Sequence, residues 1–157
     1  MAEEKVTDIS LSVKKAYRLD GDNKRIILLD TSDMNILVRL EETYPEIQKL
    51  AVEAVDRIVA SKDVEDDDKS PLTDMSEILK DIDKKMREKL NYIFASDIAD
   101  ICEPTGNMYD AVGGEFRFEH IIDVLTTLYA NNITTEFKKM QERVKKHTAK
   151  YVNKRKR

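Results

Sequence analysis

The sequence predicts a mainly α fold, with a small N-terminal β-hairpin followed by a bundle of about five helices. Three observations carry this. Ile26-Ile27-Leu28-Leu29 reads as a strand. Directly after Asp30-Thr31-Ser32-Asp33, the apolar residues Ile36, Leu37, Leu40, Ile47, Leu50, Ala51, Ala54, Val55 and Ile58 fall at helical spacing. The 157 residues hold only four Gly and three Pro, with 37% charged residues and no Trp, a profile of surface-exposed helices rather than of a β-sandwich.

The hairpin comes first. Val6, Ile9, Leu11 and Val13 alternate in places. Asp20-Gly21-Asp22-Asn23 is a turn signal, because Gly, Asn and Asp tolerate positive φ. Residues 24–29 return. Two strands alone are marginal, so they must pack on helices or pair with another chain.

Asp33 is placed to cap the first helix. Pro45 interrupts the helical run, and Thr43-Tyr44-Pro45-Glu46 has capping-box spacing, which predicts a kink or two helices over 33–43 and 44–61. Residues 61–73, with Asp63, Glu65, Asp66, Asp67 and Asp68, read as an acidic loop. Its calcium pattern fails: counting from Asp63, the sixth position needs Gly and holds Asp68, and the twelfth needs Glu and holds Asp74. Asp74-Met75-Ser76-Glu77 is a second capping box, opening an amphipathic helix near 75–95 built on Ile78, Leu79, Ile82, Met86, Leu90, Ile93 and Phe94. A short turn runs from Ser96 through Ile101. Residues 103–114 form an ordered loop anchored by Met108, Tyr109 and Val112. Its Gly113-Gly114 pair is no phosphate cradle, since no Lys-Ser/Thr follows. Phe116, Phe118, Ile121, Ile122, Leu125, Leu128 and Tyr129 form the next helix, ending at Asn131-Asn132. A last helix begins near Thr134 with a narrow apolar stripe of Phe137, Met140, Val144 and Tyr151, and His147 on the same stripe. The domain plan is a hairpin over 1–30 packed on the helical body, a helical domain over 31–132 with its acidic loop at 62–73, and a basic C-terminal helix or tail over 133–157.

Charge is polarised along the chain. Residues 138–157 carry ten Lys/Arg and one acid, a net +9, against −13 in the other residues and −4 overall. Such a field suits an electrostatic partner or association of one end with another. Phosphate binding by the basic end would be salt-dependent, but Tyr151 is its one aromatic and the rest of the chain repels phosphate. The lone Cys102 excludes an internal disulfide and fits a reducing compartment. The polar N-terminus predicts no signal peptide, and no apolar run reaches membrane-spanning length, so a cytoplasmic protein is expected.

No catalytic, cofactor or metal constellation stands out. Cys102 and His120 flank one loop, but His120 sits beside Phe118 and Ile121 as a structural residue would. One Cys and two His lack zinc spacing. The acids lie in the linker or on helix surfaces, where ordinary acidity suits them poorly to proton transfer. Met75, Met86, Met108 and Met140 sit at apolar positions and read as core.

The string Ile27-Leu28-Leu29-Asp30-Thr31-Ser32-Asp33-Met34-Asn35-Ile36-Leu37-Val38-Arg39-Leu40, the acidic linker, Leu90-Asn91-Tyr92-Ile93-Phe94-Ala95-Ser96-Asp97, Cys102, the Gly-containing loop and the helix from Phe116 to Leu128 follow in a distinctive order. This layout resembles the tail assembly chaperones of long-tailed (siphovirus-type) phages of Gram-positive bacteria, over roughly residues 25–130. Ala95 stands where that family's Ile-Phe-Gly turn has Gly. The resemblance implies a non-enzymatic protein of the host cytoplasm. Such a protein binds the long helical tape-measure protein and keeps it soluble before the tail tube polymerises, with the tail tube protein as a further partner and a homo-oligomer as an expected state. The client surface expected here is Leu128, Phe137, Met140, Val144 and Tyr151, of which Leu128 reads best as core. The alternatives are a structural tail or connector component whose hairpin adds to a partner's sheet, and, ranking last, a nucleic-acid binder using the basic C-terminus.

Overall fold

A computed structural model describes the backbone of residues 4–61 and 70–155 and the side chains of residues 4–61 and 74–149. The fold is mainly helical, with an N-terminal β-hairpin followed by a multi-helix bundle. Strands β1 (Lys15–Arg18) and β2 (Ile26–Leu29) pair antiparallel in the register Lys15–Leu29 to Arg18–Ile26. The connecting turn takes positive φ at Asp20 and Gly21, and Leu19 N–H donates to Arg25 O at 2.9 Å. Ile27 and Leu29 point into the core while Ile26 and Leu28 face out, as a pleated strand with one covered face requires. The strand is much shorter than the alternation from Val6 suggests: residues 4–14 carry no regular structure, and every residue from Glu4 to Ala16 is exposed.

Helix α1 (Ile36–Ser61) is continuous. The expected kink or division at Pro45 does not occur as two helices. Pro45 and Glu41, whose carbonyl loses its intrahelical partner, are both exposed, so water can satisfy that carbonyl and the stripe of Ile36, Ile47, Ala51 and Ala54 stays buried. Asp33 Oδ1 accepts from Asn35 N–H at 3.0 Å just ahead of the helix. The acidic segment and its tested calcium positions at 63–69 lie outside the described residues.

Helix α2 (Ser70–Phe94) starts earlier than expected, so the capping-box residues Asp74 to Glu77 lie inside it. A proline in the first turn costs little, because an N–H there has no intrahelical partner. Helix α3 (Ala99–Cys102) follows, then a minimal ladder of β3 (Ala111–Val112) and β4 (Glu115–Phe116) turning through Gly113 and Gly114, both at positive φ. This ladder is not evident from the sequence.

Helix α4 (Arg117–Arg155) runs 39 residues without interruption. The break expected at Asn131-Asn132 is absent. Asn costs only about half a kcal/mol in a helix interior, too little to stop a helix already nucleated. The hydroxyls of Thr134 and Thr135 turn back onto Ala130 O and Asn131 O at 2.8 and 2.9 Å. With both expected divisions missing, the described residues form three long helices and one short one rather than about five.

The core lies where β2, α1, α2, α3 and the first third of α4 meet. α1 packs along α2. Phe118 meets Tyr44 at 5.7 Å between ring centroids, and Tyr129 meets Phe94 at 5.8 Å, clamping α4 to α1 and to the end of α2. Met86, Leu90, Ile98 and Met108 are fully buried.

Candidate functional site

Three arginines hold the body together, each on carbonyls far away in sequence. Helix C-termini leave carbonyls without intrahelical partners. Arg39 Nε donates to Ile93 O at the end of α2, at 2.8 Å, and its guanidinium also pairs with Asp33. Arg25 donates to Ile101 O at 3.0 Å and Cys102 O at 2.8 Å at the end of α3. Arg87, 15% exposed, pairs with the equally covered Asp83 at 2.7 Å and donates to Glu103 O at 2.7 Å and Gly106 O at 2.6 Å. Asp83 in turn accepts from Met108 N–H at 2.7 Å. Charge-assisted bonds of this kind are the stronger ones. Asp83 and Glu103 are thus not the solvated surface acids expected. Glu103 Oε1 accepts from Gly106 N–H, and Glu119 bonds Phe116 N–H ahead of α4 and the Tyr44 hydroxyl, each carboxylate fastening backbone or a neighbour.

Cys102 and His120 do line one groove of about 390 Å³, together with Arg25, Glu103 and Arg117. No hydrogen bond joins the two. His120 Nδ1 lies 3.1 Å from Glu115 Oε1, and burial pushes the Cys102 thiol up to about 11, which keeps it protonated at neutral pH. A nucleophilic cysteine requires the opposite environment. Among the described residues, no group of three His, Cys, Asp or Glu side chains converges on a point where a metal could sit. No described helix is long and apolar enough to cross a membrane.

What stands open is the far part of α4. Its buried residues, Phe118, Ile121, Ile122, Leu125 and Tyr129, end at Tyr129, with Leu128 half-buried against the core as expected. From Thr134 to Ala149 every residue is exposed. Phe137, Met140 and Val144 are 55%, 59% and 63% exposed. With Ile133 before them and His147 and Tyr151 after, they alternate by four and three residues, the spacing of a coiled-coil seam. The side chain of Tyr151 lies outside those described. At about 100° per residue Glu136, Gln141, Arg143 and Thr148 border this seam, while Lys138, Lys139, Lys145 and Lys146 fall on the outer faces of the helix, so a narrow apolar stripe runs along an otherwise basic rod. Thr134 to Arg155 spans about 33 Å at 1.5 Å per residue. Leu128 and the Phe137–Val144 stripe therefore belong to different environments: one closes the core, the other faces solvent. α1 also exposes Leu37 and Ile58, which the helical spacing had grouped with its core stripe, as well as Val38, Val52 and Val59.

No family model, curated protein or solved structure matches this chain.

Proposed function

We propose that this protein is a tail assembly chaperone that binds a long helical tape-measure protein and keeps it soluble until the tail tube forms around it. The observation that carries the reading is the solvent-facing seam of Phe137, Met140 and Val144 on a helix that continues well past its own core. A helical client with unburied apolar stripes can lay one of them along this seam, and the net positive charge of residues 138–157 steers an acidic client toward it. Three contacts of this size give modest affinity, so a client with many stripes is held by many copies and released when tube subunits compete. The turn where the family has Gly adopts, at Ala95, the left-handed conformation that Gly favours, with φ of +49°.

Co-expression with the long helical protein encoded beside it tests the reading. The client is expected in the soluble fraction with this protein, and in the pellet with a Phe137→Ser, Met140→Ser, Val144→Ser variant that keeps its helical signal. A client that remains insoluble beside the unaltered protein removes the proposal. A second reading, a structural tail or connector component, draws on the exposed outer edge of β1. Stoichiometric copies in mature particles by mass spectrometry favour it; absence from particles favours the chaperone.

A further inference from the structure

The segment before β1 has the pattern of a strand and no ladder partner among the described residues. Ile9, Leu11 and Val13 are 79%, 86% and 59% exposed. In strand geometry they share a face with Tyr17 and Leu19, both packed against the core. Interrupted only by the exposed Lys15, that face is apolar for about three strand positions beyond the body, while β2 stops at Leu29 opposite Lys15.

The hydrogen-bonding direction is also fixed. Leu19 N–H donates to Arg25 O, so the pairs Tyr17–Ile27 and Lys15–Leu29 carry the ladder bonds. Ala16 and Arg18 then turn their N–H and C=O groups outward, along an edge that is exposed. An exposed edge next to an apolar, period-2 arm is a template for another strand.

We propose that two copies of this chain associate through these arms, residues 4–18 pairing antiparallel about a two-fold axis at Leu11. In that register the hydrogen-bonded pairs are the even residues, the set that Ala16 and Arg18 present. Glu4 falls opposite the partner's Arg18 and Asp8 opposite the partner's Lys14, each an opposite-charge pair. Val6 meets the partner's Ala16, and Ser10 the partner's Ser12. On the other face Leu11 meets the partner's Leu11 and Ile9 the partner's Val13, gathering six apolar side chains that are exposed in one copy alone. Pairing displaces the 3.4 Å contact from Lys14 N–H to Ser12 Oγ, and the exposed Lys14 ammonium, 3.2 Å from Ala95 O, is shared with or given up to the partner's Asp8. The two hairpins merge into one four-stranded sheet, which two-stranded ribbons need for stability. Self-complementarity of both charge and apolar positions in a single register identifies the occupant as a second copy. An isologous contact of this form closes after two chains. The inference does not depend on the client seam of α4.

Sedimentation equilibrium of the full chain tests it. The unaltered protein is expected to be a dimer. Leu11→Asp places two carboxylates face to face at the axis and should give a monomer with an unchanged helical spectrum, since the residue is 86% exposed. Asp8→Lys sets like charges opposite at two symmetric sites and should weaken the dimer about tenfold; Asp8→Lys with Lys14→Asp should restore it. The proposal is overturned by a protein that stays monomeric throughout, by a dimer that survives Leu11→Asp, or by a double variant no tighter than Asp8→Lys. It is equally overturned if Phe137→Asp, on α4, abolishes the dimer.

Discussion

Replacing Ala95 with Gly should make the protein more stable. Helix α2 ends in two bonds that define its C-cap: Ala95 N–H donates to Tyr92 O and Ser96 N–H to Asn91 O, both at 3.2 Å. This is the Schellman arrangement, and its residue just past the cap takes the left-handed conformation. Ala95 does so with φ of +49°. For an L-residue with a Cβ that conformation costs about 1–2 kcal/mol. Gly removes the cost but adds about 0.4–1 kcal/mol of unfolded-chain entropy. Ala95 is exposed, so losing its methyl opens no cavity. Lys14 Nζ and the 96–91 bond both engage backbone groups that Gly retains. The net expectation is a stabilisation of about 0.5–1 kcal/mol, or about 1–4 °C in Tm for a chain of this length. Calorimetry on the two proteins measures it. Asp20→Gly is the internal control: Asp20 also has positive φ, but Asp tolerates it and Asp20 pairs with Arg25 at 2.9 Å, so no gain is expected there. An unchanged or lowered Tm for Ala95→Gly would refute the account of the cap.

Arg87→Ala should cost about 3–5 kcal/mol in denaturant unfolding, because it leaves Asp83 covered without its cation and strips Glu103 O and Gly106 O of a donor; a loss under 1 kcal/mol would show that the loop holds itself. The raised Cys102 thiol means that the unfolded chain loses its proton first as pH climbs, so stability falls between pH 9 and 11. Cys102→Ala should flatten that limb in urea titrations, and native Cys102 should react with alkylating reagents at least tenfold more slowly than the unfolded chain at pH 8. Phe118→Ala, emptying a fully buried site between Tyr44 and Phe116, should cost about 3–5 kcal/mol, while Phe137→Ser should stay within about 0.5 kcal/mol. Equal losses in thermal unfolding would place Phe137 in the core after all.

The fold was largely legible where a single local rule decides the outcome. The Asp20-Gly21 turn follows from residues that accept positive φ, and the buried stripes of α1, α2 and early α4 follow from period alone. Errors arose where a local stop signal met a helix held from outside. Asn131-Asn132 disfavours helix by a small amount that flanking turns absorb, whereas Pro45 costs about 3 kcal/mol, which the buried contacts of Thr43 and Ile47 on either side offset, keeping α1 in one piece. The arginine hubs were invisible for a different reason. Arg39 meets Ile93, Arg25 meets Ile101 and Arg87 meets Gly106 through backbone carbonyls, and a carbonyl leaves no mark in sequence. The stripe on distal α4 was readable as apolar, but its exposure was not: Leu128 and Phe137 look alike until the end of the core is located between them.

Because α4 leaves its core near Tyr129, its two parts answer to different equilibria. Backbone amides from Phe118 to Tyr129 can exchange with solvent only when the body opens. Those beyond Thr134 are protected by one helix's own cooperativity, and an isolated segment of that length is marginal in water. The basic half can therefore unwind and rewind without disturbing anything else. A partner that seats on it raises its protection by however much the contact is worth, so a deuterium-uptake profile along this single helix doubles as a built-in gauge of occupancy, with the first three turns as its fixed reference.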